Sequence, residues 1–337
     1  MSLVTVCIVT WNNEDYIERC LSALNKQTYR DIEYLIIDNK SSDSTVELVK
    51  KSEIYSKCTL IENKDNTGFC GGHNLGITIA KGEYYLPLNP DLFLESGFIE
   101  KMVEGIEKFS PKVGVVSGKL LRFNPITGKK TNIIDSTGVY FKKNRRSLDR
   151  GAEEIDNGQF NEPEYVFGAS GAAPLYRKQM LEEIKINDEY FLNYFFAYRE
   201  DVDLAWRAQH RGWQCLYYPE AIAYHVRNNT PLKRDKMSNL VNMHSVKNRL
   251  LLLIQNETKY GLVKDGFIFL TYDLMILTYV FFRERSSLKG FSFIFTNFSK
   301  ILEIRKKIQS TSCVNEKSFV DWFGRKQSEK ILKGETN

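Results

Sequence analysis

Residues 84 to 91 read Tyr84-Tyr85-Leu86-Pro87-Leu88-Asn89-Pro90-Asp91, an apolar run of strand length that stops at an Asn-Pro turn and leaves one carboxylate at its end. As a central parallel strand, this run would put Asp91 at the carboxyl edge of the sheet, where open α/β folds bind their ligands. A carboxylate held behind a proline is a hard oxygen ligand on a stiff support, which suits a divalent cation carrying a diphosphate. The same eight residues also describe an ordinary strand-ending turn, so the rest of the chain has to decide.

Upstream, strand-like and helix-like patterns alternate as in a parallel sheet with crossover helices. Val4 to Thr10 is β-rich, and Asp15 to Lys26 places Ile17, Leu21 and Leu24 at helical spacing. A second strand, Ile32 to Ile37, ends at Asp38, a helix follows from near Ser44, and Thr59 to Glu62 is a third strand. His73 to Lys81 reads as a helix closed by Gly82. Downstream come a helix at Phe98 to Phe109, a strand at Val113 to Phe123 and a hairpin arm at Thr131 to Phe141. A helix over Arg177 to Ile184 and another from Glu200 to His210, stopped by Gly212, follow. The segments Gln214 to Tyr218 and Ala221 to Arg227 then close a mixed, mostly parallel α/β domain over residues 1–230, and residues 231–337 form a helical extension.

Composition narrows the class. A chain of 337 residues with 42% hydrophobic and 26% charged residues is long enough to bury a substantial core. Six cysteines without a CxxC pair or regular spacing argue against a zinc site or a disulfide framework, and fit a reducing compartment. No secretory signal pattern is visible at the amino end, so a cytoplasmic location is expected. The net charge of +5 is unevenly spread: residues 1–230 carry 28 basic against 32 acidic side chains, and residues 231–337 carry 19 against 10. Basic residues interleaved with aromatics in the second part suggest an anionic surface such as lipid, and no nucleic-acid partner is expected.

Four groups of residues are candidates for chemistry. Asp38 and Asn39, with Ser41, Ser42 and Asp43, form a polar turn after the second strand that either holds a nucleoside base or caps the next helix. Asn66 to Gly76, containing Gly68, Gly71, Gly72 and Asn74, reads as a glycine-rich loop entering a helix, whose backbone a phosphate or sugar could approach closely. It is no dinucleotide fingerprint, because the first strand runs directly into Trp11-Asn12-Asn13 without glycines, which argues against a nicotinamide-dependent dehydrogenase. Glu200 and Asp201 open a helix, where Asp201 could serve as a base or merely complete an acidic first turn. His225, after the apolar run Ala221 to Tyr224, could share a metal with Asp91 or be structural.

In this order, Val6 to Asn12, Asp38 to Asp43, Asn66 to Gly76, Asn89-Pro90-Asp91, Glu200 to Leu204 and Tyr224-His225 resemble family 2 glycosyltransferases of the GT-A fold, and within them bacterial rhamnosyltransferases. The resemblance covers roughly residues 3–230. It implies an inverting transferase that moves a sugar from a nucleotide donor, dTDP-β-L-rhamnose, to a hydroxyl of a lipid-linked or polysaccharide acceptor in bacterial cell-surface glycan synthesis. It makes Thr10, Asn12, Asp38, Asn39 and Ser41 nucleoside contacts, extends the donor site over Asn66, Gly68, Gly71, Asn74 and Asn89, and makes Asp91 and His225 ligands of Mg2+ or Mn2+. Asp201 matches the catalytic base. Asn89 stands where many relatives carry Asp, which weakens the local negative charge. Another UDP- or GDP-sugar as donor, or an inactive glycan-binding relative, is the alternative. A glycosidase would need two carboxylates flanking the bond and no nucleotide pocket.

In the tail, Gly266 to Phe282 is apolar for 17 residues but contains Asp273, short for a membrane span of about 20 residues. An interfacial helix with its aromatics at the lipid boundary, peripheral on the inner face of the membrane, is the expectation, against a soluble subdomain or a homo-oligomer contact. The run Lys142-Lys143-Asn144-Arg145-Arg146 is either a contact for an anionic glycan or lipid diphosphate, or a solvated hairpin tip.

Overall fold

The computed structural model describes residues 2–227 and 238–324, together with the backbone of 329–330. The first half carries β1 (Val4–Thr10), α1 (Ile17–Asn25), β2 (Ile32–Asp38), α2 (Thr45–Lys51), β3 (Cys58–Glu62), α3 (Gly68–Ile79), β4 (Tyr84–Pro87), β5 (Leu92–Leu94) and α4 (Phe98–Lys108). Then come β6 (Val113–Asn124), β7 (Lys129–Ser136), β8 (Val139–Phe141), β9 (Ser147–Asp149), β10 (Glu164–Val166), β11 (Leu175–Arg177), α5 (Lys178–Ile184), α6 (Glu200–His210) and β12 (Gln214–His225). The remainder is α7 (Asn239–Asn256), α8 (Lys259–Arg283), α9 (Leu288–Thr296), α10 (Phe298–Ser310), α11 (Glu316–Val320) and β13 (Glu329–Lys330).

Along its main path the sheet runs β13-β10-β12-β6-β11-β4-β1-β2-β3, with β5 added to β12 and β7 to β6. The pairs β1/β2, β2/β3, β1/β4 and β6/β12 are parallel, and β11 enters antiparallel between β4 and β6. This is the expected mixed, mostly parallel sheet with a helical C-terminal region. The segments expected at Gln214 to Tyr218 and Ala221 to Arg227 are one strand, β12, with an irregularity between Tyr217 and Ile222.

Apolar alternation settles which helices cover which face. Val4, Val6 and Ile8 of β1 point to the side covered by α1 and α4, whose buried residues Ile17, Cys20, Leu21 and Leu24, and Phe98, Met102 and Ile106, repeat with helical period. Cys7, Leu35 and Ile37 face α3, α5 and α6. That second core continues into the tail through Leu251 and Leu252 of α7, Phe269 of α8, Ile301 and Ile304 of α10, and Phe319 of α11. The boundary expected near residue 230 lies outside the described residues.

The register brings the strand ends together. Thr10 pairs with Asp38 and Asp38 with Glu62, while the Asn39 N–H donates to Thr10 O and the Leu88 N–H to Cys7 O. The carboxyl ends of β1, β2, β3 and β4 therefore form one edge.

Candidate active site

The chain reverses after Pro90, and β5 pairs antiparallel with β12, Leu92 opposite His225. The Val226 N–H donates to Asp91 O at 3.0 Å, which fixes the two strand ends side by side. Asp91 Oδ1 lies 3.4 Å from His225 Nε2, and the other ring nitrogen, Nδ1, is 2.7 Å from Asp135 Oδ2. Asp135, at the end of β7, is fully buried and also pairs with Arg122 (2.9 Å) and Arg227 (3.4 Å). Burial works against a charged His225, but Asp135 and Asp91 outweigh it and push its pKa up to about 9. A carboxylate behind the far nitrogen sets the ring's orientation, and a cation at the near nitrogen would have to displace the proton that this nitrogen carries while it faces Asp91. Among the described residues no group of three or more His, Cys, Asp or Glu side chains could hold a metal. Asp91 and His225 thus offer one oxygen and one nitrogen donor, and a cation here needs further oxygens from a bound diphosphate.

Asp201 is reached from the opposite side of a short backbone bridge. Its Oδ2 accepts the Gly171 N–H at 2.8 Å, and the carbonyl of the following residue, Ala172 O, accepts the Asn89 N–H at 2.9 Å. Two peptide groups of one short segment therefore tie the Asp201 carboxylate, at the Gly171 N–H, and the Asn89-Pro90-Asp91 turn, at the Ala172 carbonyl, to the same stretch of backbone. A side chain at position 171 would meet Asp201 Cβ at 3.2 Å, so glycine is what lets the carboxylate come this close. Burial raises the Asp201 pKa, opposed by hydrogen bonds from the Gly171 and Val202 N–H groups. Burial and the Asp201 charge push Glu200 well above the ordinary carboxylate range, so of these adjacent acids Asp201 takes the negative charge. Phe196, Tyr198 and Arg199, leading into this helix, have positive φ (66°, 70° and 69°). Asn248 of α7 holds them by donating to the carbonyls of Phe195 (3.1 Å), Ala197 (2.9 Å) and Tyr198 (2.6 Å).

At the β1–β2 edge, Asp38 is buried. Its Oδ2 accepts the Ser41 N–H at 2.9 Å, and its Oδ1 is buried without a protein partner. An unpaired buried carboxylate oxygen is costly unless a ligand N–H completes it. Thr10 and Asn12 are engaged with the scaffold: Thr10 Oγ1 donates to Asn13 Oδ1, while Asn12 accepts the Ser42 N–H and donates its own N–H to Ser41 Oγ. Asn39 donates to Gly68 O at 3.0 Å and accepts from Asn63 and Thr67, tying β2 to the start of α3.

The glycine-rich segment departs from its sequence reading. It is helix from Gly68 onward, five residues earlier than expected. Added Cβ atoms would meet Val9 (2.6 Å) at Gly72, and Cys7 and Tyr85 (2.6 Å) at Gly76, so these glycines let α3 lie close on the sheet. Gly71 would meet only Thr67 of its own turn. Gly68 (φ 70°) lies against Phe196, with its N–H donating to Asn66 Oδ1. Asn74 lies further along, its amide fully engaged: Nδ2 donates to Phe191 O and Asn193 Oδ1, and Oδ1 accepts from Tyr190 and Phe191. It anchors the 190–193 segment and is unavailable to a donor. His73, hydrogen-bonded to Tyr85 at 2.9 Å and pushed down to about 3 by burial, is structural.

Sequence reasoning missed Asp135, Arg227 and Asn248, whereas the small-residue run Gly168-Ala169-Ser170-Gly171-Ala172 is the kind of segment whose backbone another group can approach, as Asp201 does at Gly171. An acid closing the apolar pair Ile133-Ile134 was the only local sign of Asp135, and Asn248 had none, since its partners lie some fifty residues upstream.

Glycosyl transferase family 2 matches residues 5–185, more than half of the chain. The chain belongs to that family. A poly-β-1,6-N-acetyl-D-glucosamine synthase of Staphylococcus aureus is 25% identical over 223 residues, 66% of this chain and 49% of the relative. An uncharacterized glycosyltransferase of Haemophilus influenzae is 32% identical over 107 residues, 32% of this chain and 33% of the relative. The chain thus spans a third to a half of the length of these relatives. Among solved structures, S. aureus TarS aligns with TM-score 0.53 at 18% identity, covering 81% of this chain and 43% of TarS. The mannosyltransferase PcManGT of Pyrobaculum calidifontis, in complex with GDP-Man and Mn2+, aligns with TM-score 0.54 at 13% identity, covering 95% and 85%. At these identities the structural likeness establishes the GT-A fold. For a family 2 chain the matched span stops before α6, so Asp201 and His225 are placed by the geometry of this chain, not by the family match.

Proposed function

We propose that the chain is an inverting glycosyltransferase in which Asp201 removes the proton from an acceptor hydroxyl while a nucleoside diphosphate leaves on the Asp91 side. The observation that carries this is the Gly171-Ala172 bridge, which holds Asp201 and the Asn89-Pro90-Asp91 turn on one piece of backbone. A nucleoside diphosphate is already a good leaving group, so one base opposite it suffices. Gly171 and Val202 hold the Asp201 carboxylate in orientation, and Glu200 retains its proton, which keeps the pair from carrying two charges. The unpaired Asp38 Oδ1 suits the ring N–H of a uracil or thymine base, with Ser41 and Asn39 shaping that pocket. Asn66, Gly68 and Asn89 are the remaining donor-side positions, while Thr10 and Asn12 brace the nucleoside pocket.

Asp91 and His225 would hold a divalent cation, Mg2+ or Mn2+, which when bound supplies charge stabilisation to the departing diphosphate. Neighbours solved with Mn2+ and GDP-Man, or with UDP, GalNAc and Mn2+, support that expectation. For the donor we propose dTDP-β-L-rhamnose, on the resemblance of the Asn-Pro-Asp turn to rhamnosyltransferases, and for the acceptor a lipid-linked or polysaccharide hydroxyl. We place the catalytic part at residues 1–230.

The test is Asp201→Asn, expected to lower transfer by about 10²–10⁴-fold while nucleotide binding, read by calorimetry, stays unchanged. Transfer at the parent rate would remove Asp201 from the base role. A thermal-shift panel of dTDP-rhamnose, UDP- and GDP-sugars assigns the donor, and preference for a UDP-sugar would overturn the rhamnosyl part alone.

A further inference from the structure

Helix α8 is the longest element of the chain, 25 residues, and most of its circumference meets nothing. Its buried positions, Gly261, Asp265, Gly266, Phe269 and Val280, form a narrow stripe. Outside the stripe, Val263 is 87% exposed, Phe267 83%, Met275 68% and Phe282 69%, with Leu270 and Leu274 also exposed. That is far more contiguous apolar surface than a lone exposed leucine, and such faces mark binding sites.

The two charges that make this segment look too polar for lipid are both turned inward. Asp265 pairs with Arg145 at 2.8 Å and Asp273 with Arg249 at 2.5 Å, and both arginines are buried. From residue 265 to 282 no other charged side chain occurs. The exposed Thr271 and Thr278 hydroxyls donate to the carbonyls of Phe267 and Leu274 one turn back, so neither needs water. The segment thus presents no unpaired charge over 18 residues, about 27 Å of helix, and Tyr279, half exposed, adds an aromatic ring with a hydroxyl suited to the headgroup level.

Its surroundings are basic. Residues 259–307 carry nine Lys or Arg against four Asp or Glu; three of those acids, Asp265, Asp273 and Glu284, pair within the protein, as do Lys264 with Asp321 and Arg305 with the Ile254 carbonyl among the bases, which still leaves the basic side chains in excess. A second copy presenting the same face would bring two basic fringes together, whereas anionic headgroups complement them. Spanning is disfavoured by the ion pairs themselves, because crossing a bilayer would carry Arg145 and Arg249, which also donate to backbone carbonyls of residues 143–145, into hydrocarbon or break them.

We propose that α8 lies in the plane of an anionic membrane surface, its Val263, Phe267, Leu270, Leu274, Met275 and Phe282 side chains entering the boundary between headgroups and acyl chains. Arg283 and Arg285 at its end meet the lipid phosphates. An in-plane helix of this kind enters the bilayer by about 5–10 Å and binds through apolar burial plus charge attraction.

The experiment is co-sedimentation of the full chain with vesicles of phosphatidylcholine alone or with one-quarter phosphatidylglycerol, at low and high salt, beside the double variant Phe267→Glu, Met275→Glu. Both sites are exposed, and an unchanged melting temperature certifies the variant's fold. Binding that needs phosphatidylglycerol, weakens with salt and drops by about tenfold or more in the variant is expected. Arg283→Gln, Arg285→Gln should lower binding to the anionic vesicles alone. Binding equal in parent and double variant overturns the proposal, as does a parent that ignores both vesicle types and sediments as a dimer that the substitutions dissociate. No sugar transfer enters these readouts, so their failure leaves the proposed reaction untouched.

Discussion

Asp201 is held by two backbone N–H groups that favour its charge and by burial that opposes it, with burial the larger effect. A base must be unprotonated to accept a proton, so kcat/KM should fall, with unit slope, as pH drops through a pKa raised above the usual aspartate value. A pH-rate profile flat down to the usual aspartate range would contradict this. At the nucleoside end, the buried and unpaired Asp38 Oδ1 predicts that Asp38→Ala weakens nucleotide binding by about 1–3 kcal/mol, read by titration calorimetry. Both acids stood out in the sequence because each closes or opens a recognisable element. Asp135 did not, since its importance comes from His225, ninety positions away.

At the scale of elements, α3 and α7 carry the main lessons. The glycines of α3 serve close packing on β1, and Gly72→Ala, pressing a methyl against Val9 at 2.6 Å, is expected to cost about 1–3 kcal/mol in chemical denaturation. Sequence reading took glycine density for an open loop because a phosphate cradle and a tight helix–sheet contact demand the same missing Cβ. Asn248 on α7 satisfies three carbonyls of the strained turn before Asp201. Asn248→Ala should destabilise by about 1–3 kcal/mol and lower kcat more than the donor KM, because the displaced turn carries the base rather than the donor pocket. Equal loss in kcat and donor affinity would argue against that division.

For the whole molecule, the tail and the sheet domain are held together through a buried charge. Arg145, from the run that looked like a solvated basic tip, is completely buried between Glu257 (2.6 Å) and Asp265 (2.8 Å), with Phe323 stacked at 3.9 Å. Removing only the cation strands two carboxylates, so Arg145→Met is expected to cost about 3–5 kcal/mol. Glu257→Gln, Asp265→Asn added to it should recover part of that loss, measured as the denaturation midpoint. No recovery would mean that the packing of the guanidinium against Phe323 and Phe269, rather than charge, dominates.

Alternating apolar periodicity determined the strand and helix order, the parallel half of the sheet, and the positions of Asp38, Asp91 and Asp201 at element ends, because those signals are local and repeat every two or 3.6 residues. Tertiary structure alone decided which distant groups meet: Asp135 behind His225, Gly171 beneath Asp201, Asn248 over the strained turn, and Asp265 and Asp273 turned from an apolar helix toward buried arginines. Such contacts depend on register and packing across many tens of residues, for which neither composition nor spacing leaves a mark.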